Sequence, residues 1–464
     1  MPYTINVNQV ESDKNENQLF LSKELLTHLK LEEGDVKTVQ FGSREVNCRI
    51  YSKKHLSFKH CEFSKKAWEN LFIPYPLTLT LDYVDKEKFY FGPIIGIFTA
   101  GFTGSVLRPV GERSFLFAKY IHAASLSGSL AVIFGSHHIN WDEGIIEGYS
   151  FLESGWQKVI VPFPNVIYDR LPNRRTEAHP AYSEVREKLQ NDYNIPWFNP
   201  GFFDKSEIYD RLIHVDEVKH LLPKTISAPT KEEIKDFVHE YKHVYIKPKN
   251  GSLGLGIHQI HYDTGEKFYY CRFRDKKRNR LRRYGSLSRL LKTQFPNGFN
   301  HLVIQEGISL LKYQNNPIDF RIHTNKDDQG IWKISAIAAK IAGSGSVTTH
   351  VKSGGHVKSV QEIWEDLNLS KALLSGLKKT ALSLSKAIDK TTDGNVGEIG
   401  FDLGIDQEEK VWMFEANSKP GRTIFSHPKL KREDQLTRQM PMSYATYLYK
   451  STIQDINSTE EATV

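Results

Sequence analysis

Short apolar runs bounded by polar turns make up most of the chain, and this pattern predicts many strands. Residues 93–98, 130–134 and 158–162 are largely apolar runs of the length that parallel sheets bury. Residues 115–127, between the first two runs, carry a face of small residues and predict a helix. The alternation predicts a small parallel α/β domain over residues 93–200. Its last part, 164–175, has the composition of a Pro-rich loop, whose arginines either contact an anionic ligand or are solvated.

The first 92 residues alternate short strands with turns and contain a weak internal repeat. Segment 20–26 is echoed by segment 62–68, and each copy leads to a strand, 36–41 or 77–83. Two copies of strand, helix and strand predict a β-rich, barrel-like module over residues 1–92. Chance similarity of two serine-initiated helices is the alternative. Because no catalytic set of side chains falls here, we interpret the region as an interaction or scaffolding module.

Two apolar strands near the C-terminus, residues 399–405 and 411–415, flank a polar turn and predict a hairpin. Asp402 lies on the first strand, and Glu415 and Asn417 end the second. Side chains two apart on a strand share a face, and the hairpin can fold Asp402 back beside them. Two carboxylates and an amide are hard oxygen ligands of the kind that magnesium takes beside nucleotide phosphates. The alternative is a surface hairpin with scattered acids.

An apolar strand that ends at Lys247 runs directly into a glycine-rich loop, which contains Gly251, Ser252, Gly254 and Gly256. Glycines let backbone N–H groups approach phosphate oxygens closely, and the lysine adds a positive charge. A strand rather than a helix follows, and the Gly-Lys-Ser/Thr ending is missing. Neither a P-loop nor a dinucleotide fingerprint therefore fits. The pattern predicts a phosphate-binding turn of another kind.

The spacing of these residues resembles a known family. An aspartate followed thirteen residues later by Glu-x-Asn at the end of a hairpin resembles the metal-binding signature of the ATP-grasp superfamily. The form Phe-Glu-Ala-Asn-Ser-Lys-Pro, residues 414–420, resembles the YheC/YheD branch, whose members are described as endospore coat-associated. The resemblance covers residues 92–425. It implies an ATP-grasp domain over 201–450 with a lid at about 224–304, followed by a flexible tail, 451–464.

The resemblance also implies how ATP would be held. Lys205 follows Asp204, the expected N-cap of a helix, where ATP-grasp enzymes carry a phosphate-binding lysine. An ordinary exposed lysine is the alternative. The apolar strand 301–304 runs into a polar hinge that would face the adenine, namely Gln305, Glu306, Gly307 and Ile308.

A further strand, residues 318–323, places Asp319 and Arg321 on one face. Resemblance to RimK-type ligases implies that Asp319 contacts ribose and that Arg321 contacts phosphates or the acceptor. A cross-strand salt bridge is the structural alternative. Lys340 and His350 stand where related enzymes have arginine and asparagine, and lysine keeps the charge but loses the bidentate fork. We expect Arg321 and Lys340 to be the catalytic residues.

The positive charge of the chain is concentrated in one stretch. The formal net charge is +7, and residues 271–284 hold eight basic residues and one acid. We predict a hairpin there, with strands 269–273 and 281–284, that either clamps an acidic acceptor such as a carboxylate-rich peptide or is a solvated tip. The rest of the chain is near neutral, and the basic stretch has no aromatic platform at regular spacing. Both observations argue against nucleic acid as a partner.

Other features narrow the class of protein. No apolar run approaches the roughly 20 residues of a membrane span, and the N-terminus has no signal-peptide pattern. The three cysteines, Cys48, Cys61 and Cys271, are scattered and predict neither a zinc site nor a disulfide framework. We therefore expect a cytoplasmic protein that does not enter the membrane.

Taken with the resemblance, these features imply an ATP-dependent ligase. The cofactors would be ATP and Mg²⁺ or Mn²⁺, and the partners an unidentified carboxylate donor and amine acceptor. An acyl-phosphate would link the two half-reactions. The alternative is a structural spore-coat protein that keeps an ATP-grasp fold without catalysis.

Overall fold

The structure is a computed structural model. It describes residues 3–12, 15–84, 87–249, 256–275, 278–349 and 354–461, except for the side chains of 84 and 455–461. The described part folds around a closed barrel and three open sheets. The predicted fold class, mixed α and β with an N-terminal barrel, is confirmed.

The N-terminal strands close into a barrel with the order β1-β5-β2-β4-β3-β7-β6. Its elements are β1 Tyr3–Val10, β2 Gln18–Leu21, α1 Lys23–His28, β3 Val36–Phe41, β4 Arg44–Ser52, β5 His60–Ser64, α2 Lys65–Asn70, β6 Leu77–Val84 and β7 Lys88–Gly92. Ser22 and Ser64 cap the two helices in the same way, each accepting from the backbone N–H three residues later. β1 pairs with β5 in parallel as β4 does with β2, so the weak sequence repeat corresponds to a pseudo-symmetric pairing.

The second sheet has the order β10-β11-β9-β8-β13-β14, with β12 paired to β11. Its elements are β8 Ile94–Phe98, α3 Ser114–Leu126, β9 Leu130–Phe134, β10 Ile139–Asn140, β11 Ile145–Leu152, β12 Gly155–Pro162, β13 Val166–Asp169, α4 Arg174–Glu177, α5 Pro180–Asn191 and β14 Trp197–Phe198. The sheet is mixed, because β12 runs antiparallel to β11 in a hairpin. The prediction that 158–162 belongs to a parallel sheet is wrong.

β13 takes the place in the parallel part of the sheet that we assigned to 158–162. It pairs in parallel with β8 and with β14, within the segment predicted to be a loop. All of its residues are buried. Prolines lie near both ends of these four residues, and four residues are too few to show an alternation, so the strand was not recognised in the sequence.

The third sheet, the lid sheet, has the order β15-β20-β16-β17-β18-β19. It is preceded by α6 Lys205–Leu212 and contains β15 Thr225–Ser227, α7 Lys231–Tyr241, β16 His243–Pro248, β17 His258–Asp263, β18 Phe268–Asp275, β19 Arg278–Tyr284, α8 Leu287–Gln294 and β20 Leu302–Glu306. The apolar sides of α7 and α8 form one core with the buried side chains of these strands. The predicted basic hairpin is present as β18 and β19.

The fourth sheet, the core sheet, has the order β24-β23-β22-β25-β26, with β21 paired to β22. Its elements are β21 Lys312–Tyr313, β22 Asn316–Lys326, β23 Trp332–Ile341, β24 His356–Ser359, α9 Val360–Asp366, α10 Lys371–Thr391, β25 Glu398–Ile405, β26 Val411–Asn417 and α11 Lys431–Glu461. One sheet face packs against α10 through Ile318, Phe320 and Ile322. The opposite face therefore presents Asp319 and Arg321.

The last helix, α11, passes the point at which we expected a flexible tail and continues to Glu461. It packs against α3 and against β22 and β23, and so joins the second sheet to the core sheet. Within the described residues, no helix is both long and apolar enough to cross a membrane.

Candidate functional site

A cavity of about 410 Å³ lies between the lid sheet and the core sheet. This volume is in the range of small-molecule sites in proteins. Many predicted site residues line it, namely Lys205, Lys247, Gln305, Glu306, Ile308, Asp319, Arg321, Lys340, Asp402, Glu415 and Asn417. The fold thus brings together side chains that are more than 200 positions apart in the sequence.

The hairpin of β25 and β26 brings the predicted metal ligands to one face. Asp402 is the direct cross-strand partner of Glu415, and Gly400 is the partner of Asn417. Paired residues of antiparallel strands share a face, as do residues two apart, so the three oxygen-bearing side chains lie side by side. Most of β25 is otherwise buried. Asp402 and Glu398 are therefore the charged exceptions on a strand that packing alone would make apolar.

In this structure, cationic side chains hold Asp402. Arg321 makes a fork, with Nε 2.9 Å from Oδ1 and Nη2 3.2 Å from Oδ2. Lys340 Nζ lies 3.0 Å from Asp402 Oδ1 and 2.8 Å from Asp319 Oδ1, and Thr349 donates to Asp319 Oδ2. The two acids and two cations balance in charge. Asp319 and Arg321 thus both form cross-strand salt bridges here, as the structural alternative predicts: Asp319 pairs with Lys340, and Arg321 pairs with Asp402.

The electrostatics of the pair of aspartates differ. Burial raises the pKa of Asp319, and the nearby charge of Lys340 only partly offsets this effect. Burial acts on Asp402 as well, but the charges of Arg321 and Lys340 hold its pKa below the ordinary value. Asp402 is thus the better anion of the two, as a metal ligand must be.

Two lysines from different elements lie near the hairpin, Lys205 on α6 and Lys247 on β16 of the lid sheet. Asp204 caps α6 by accepting from the N–H groups of Ser206 and Glu207, so Lys205 is the first residue of the helix. Lys205 Nζ lies 3.2 Å from Glu415 Oε2. Lys247 Nζ donates to Gln305 Oε1 at 2.8 Å. Lys205 is therefore a partner of the acidic hairpin and not the ordinary solvated lysine of the alternative interpretation.

The pKa of Lys247 is low for a lysine. Burial lowers its pKa to about 8, and the charge of Lys205 acts in the same direction. The Gln305 side chain is oriented by a second bond, from Nε2 to Thr225 Oγ1 at 2.9 Å, so that its oxygen faces the lysine. The ammonium group is thus poised near neutral pH and would be stabilised by an anion.

The predicted hinge follows β20. Glu306 Oε1 accepts from the N–H of Lys224 at 2.9 Å, while Glu306 and Ile308 line the cavity. Gly307 donates its N–H to His243 O at 2.8 Å, and a Cβ at position 307 would lie 2.4 Å from the His243 ring. This close approach requires glycine at the hinge. Gly307 supports the hinge without lining the cavity.

The structure describes only the end of the predicted glycine-rich loop. Gly251, Ser252 and Gly254 lie outside the described residues, and so does His350. Gly256 is described and has a φ of 74°. Glycine adopts this left-handed conformation without strain, as expected at the end of the loop.

Three lining residues of the lid sheet are missing from the predicted site. Tyr245, Gln259 and Arg272 line the cavity. The three residues lie in one row across the sheet. Tyr245 pairs with Gln305 on one side and with Gln259 on the other, and Gln259 pairs in turn with Arg272. The alternation of Tyr245 with Lys247 is the sequence signal that could have identified the first of them.

The segment after Asn417 joins two sheets. Lys419, with a side chain only 2% exposed, lies 2.6 Å from Asp169 at the end of β13. Glu398 of β25 binds Arg422 and lies 2.8 Å from Arg170 Nη1. Arg170 is therefore held in a buried ion pair and is not a solvated side chain. Buried ion pairs thus explain both charged residues of Ser-Lys-Pro-Gly-Arg, residues 418–422. Lys419 pairs with the second sheet, and Arg422 pairs with the core sheet.

The donor set for a cation is limited. Among the described residues, no group of three or more His, Cys, Asp or Glu side chains is arranged to hold a metal ion. The predicted set contains only two carboxylates, and its third member is the amide of Asn417. Such a set suits a hard ion that also binds phosphate oxygens, and it does not form a closed protein cage.

Solved structures of low sequence identity align with the chain. The D-alanine–D-alanine ligase from Bacillus anthracis is 12% identical, with a TM-score of 0.44, covering 78% of this chain and 99% of that one. The VanG D-Ala:D-Ser ligase from Enterococcus faecalis is 11% identical, with a TM-score of 0.43, covering 77% of this chain and 99% of that one.

Sequence relatives are much nearer. The endospore coat-associated protein YheD of Bacillus subtilis (strain 168) is 38% identical over 448 residues, covering 94% of this chain and 95% of YheD. The endospore coat-associated protein YheC of the same strain is 21% identical over 305 residues, covering 65% of this chain and 82% of YheC. The family model described as YheC/D like ATP-grasp matches residues 194–448. The chain belongs to the YheC/D-like ATP-grasp family.

Proposed function

We propose that this protein is an ATP-dependent carboxylate–amine ligase. The observation that carries the proposal is the composition of the cavity between the lid and core sheets. Its lining combines the lysines Lys205 and Lys247 with the oxygen-bearing side chains of the β25–β26 hairpin. A triphosphate with its cation needs both kinds of group, since its charge must be met by ammonium groups and by metal ligands.

The residues of the hairpin fit a magnesium or manganese ion. Asp402, Glu415 and Asn417 would hold it, leaving room for phosphate oxygens and water. When bound, the ion withdraws charge from the phosphate oxygens. Arg321 and Lys340, which now pair with Asp402, would then be released toward the phosphates. Both would act as catalytic residues in this arrangement.

In the first step, a carboxylate oxygen of the donor attacks the γ-phosphorus of ATP. A new bond forms between that oxygen and phosphorus, the bond to the β-phosphate oxygen breaks, and ADP leaves. Lys205 and Lys247 neutralise the phosphates, and Asp319 and the hinge from Gln305 to Ile308 orient the nucleoside. Fixed charges in a site closed to water stabilise the charge that develops on the phosphoryl oxygens.

In the second step, the acceptor amine attacks the carbonyl carbon of the acyl-phosphate. The amide bond forms, the bond from carbon to the phosphate oxygen breaks, and the amine loses a proton as phosphate leaves. Holding amine and acyl-phosphate together under the lid makes the encounter effectively intramolecular. It also excludes water, which would otherwise hydrolyse the intermediate.

The biological setting follows from the relatives. YheD and YheC are described as endospore coat-associated. We propose the same association for this protein, with synthesis in the cytoplasm of a sporulating cell. We also propose that residues 1–92, 93–200 and 201–450 act as separate units, with the barrel serving as an interaction module. The segment 451–461, predicted as part of a flexible tail, is instead the continuation of α11.

A second candidate is a coat-associated structural protein that keeps the ATP-grasp fold without turnover. The observation that favours it is the pairing of both Asp402 oxygens with Arg321 and Lys340. A site that balances its own charge has less need of a cation. The lysine at position 340, where related enzymes have arginine, points the same way.

Two measurements separate the candidates. Calorimetry with ATP, with and without Mg²⁺, tests the site, and ADP release with pooled amino acids and acidic peptides tests turnover. The ligase predicts magnesium-dependent binding and acceptor-dependent ADP release. Binding without ADP release across a broad pool would favour the structural candidate. No binding in either condition would overturn the ligase proposal and leave the structural candidate.

A further inference from the structure

The outer strand of the lid sheet, β19, is exposed, and the proposed nucleotide site does not account for its many arginines. β19 is last in the strand order, and in the described part of the chain it pairs with β18 alone. Its first six residues are exposed and only Tyr284 is buried. An edge strand of this kind presents backbone N–H and C=O groups that another extended chain can bind.

One face of β19 is strongly basic. Arg278, Arg280 and Arg282 alternate along the strand, opposite Asp275, Phe273 and Cys271 of β18. Arg280 Nε lies 3.7 Å from Asp275, and the guanidinium of Arg282 lies 5.3 Å from the centre of the Phe273 ring. These contacts hold the side chains beside the edge, where they create a positive field along its length.

The other face leads into the cavity. Leu281 is the cross-strand partner of Arg272, and the row of partners continues through Gln259 and Tyr245 to Gln305. Arg272 lines the cavity. A side chain that points to this face from a strand added beside β19 would follow Leu281 in the same row, so it would be directed toward Arg272.

The hairpin also lies against the wall of the cavity that belongs to the core sheet. Asn279 Nδ2 donates to Ser344 O at 3.2 Å. Residues two to five positions beyond Ser344, from Ser346 to Thr349, line the cavity. The edge strand is therefore adjacent to the entrance of the proposed ligase site.

We infer that β19 is a docking strand for an acidic peptide, which binds in an extended conformation as an additional strand of the lid sheet. Its carboxylate side chains pair with the three arginines on one face, and a carboxylate on the other face is presented to Arg272. The binding step stands independently, whereas the delivery of a carboxylate to the site rests on the proposed function. Charge complementarity identifies the occupant, because this edge is the most basic part of the chain.

Protection of the sheet edge and binding of nucleic acid both fit the strand less well. Charged residues protect edge strands from aggregation, but Leu281, 58% exposed in the middle of the strand, works against protection. Nucleic acid would need aromatic faces for stacking, and residues 278–283 contain no aromatic side chain. An extended peptide uses the backbone edge, the arginines and Leu281 together.

The test measures binding of a fluorescent peptide of alternating glutamate and threonine to the full-length protein, without nucleotide. We expect the triple variant Arg278→Gln/Arg280→Gln/Arg282→Gln to bind about tenfold more weakly, because three exposed cations are lost. The matched control is Lys231→Gln/Lys235→Gln/Lys292→Gln, which removes the same charge from the exposed sides of α7 and α8. We expect the control to bind the peptide like the wild type.

Two changes of probe examine the strand geometry and the class of partner. Methylating alternate backbone nitrogens of the peptide should weaken binding if it pairs with the edge of β19, because those N–H groups are lost. Binding that tolerates methylation of both sets of alternate residues, or equal loss in both triple variants, would overturn the inference. Tighter binding of a single-stranded oligonucleotide of equal charge would replace the peptide by nucleic acid. ATP calorimetry on the same samples tests the proposed function separately.

Discussion

Two hairpins of the C-terminal half face the same cavity and are built in opposite ways. In the core hairpin, β25 and β26, apolar side chains are buried, and the charged residues Glu398, Asp402 and Glu415 each meet a cationic partner. In the lid hairpin, the first six residues of β19 are exposed, and most of them are arginines. A charge on a buried strand must be compensated by specific partners, whereas a charge on an exposed strand costs little. In the core hairpin, each charged residue can therefore be assigned a specific partner. In the lid hairpin, the charges are better described by the positive potential that they create together.

The largest difference between the hairpins should appear in stability. Leu403 in β25 is fully buried and Leu281 in β19 is 58% exposed. We expect Leu403→Ala to lower the free energy of unfolding by about 3 kcal/mol, from lost burial and the cavity left behind. Leu281→Ala should change it by less than about 0.5 kcal/mol. Urea unfolding of both variants at one pH checks this, and equal losses would show that the lid hairpin is packed more firmly than its exposure indicates.

The next effect concerns the cation. Asp402→Asn keeps the shape of the side chain but removes the charge that Arg321 and Lys340 now meet. We expect the apparent affinity for Mg²⁺ at fixed ATP to fall about 100-fold, the upper end of what one altered ligand environment costs. Glu408→Gln, an exposed acid in the turn of the same hairpin, is the control. An unchanged magnesium titration in the Asp402 variant would remove the metal site from this hairpin.

These differences explain how far the sequence could predict the site. The core hairpin, with Asp402, Glu415 and Asn417 on one face, follows from alternation within a single local motif. The row from Gln305 to Arg272 could not be predicted, because register between distant strands is set by tertiary pairing. β13 was not predicted for a local reason, because its four residues are too few to show a periodic pattern. The ion pair of Lys419 with Asp169 spans 250 positions, a separation that no local pattern reports.

A smaller effect should depend on pH. The pKa of Lys247 is about 8, so the side chain is charged below that pH and loses its proton above it. Phosphate binding requires the charged form, and we expect ATP affinity, at saturating Mg²⁺, to fall about fivefold between pH 8 and pH 9. The charge of arginine persists throughout this range. Lys247→Arg should therefore remove the decline, and calorimetry that finds the same decline in this variant would assign it to another group.

The smallest effect tests the contact between the lid hairpin and the core. Asn279 donates to Ser344 O across an exposed interface, and such a bond contributes on the order of 0.5–1 kcal/mol. Asn279→Ala should therefore speed nucleotide release about two- to fivefold, because the closed lid loses one of its contacts. Stopped-flow displacement of a fluorescent ATP analogue measures the rate, with Asn300→Ala, an exposed asparagine elsewhere in the lid, as the control. Equal rates in wild type and both variants would mean that the lid hairpin does not gate the nucleotide, and its basic strand would then act on the partner alone.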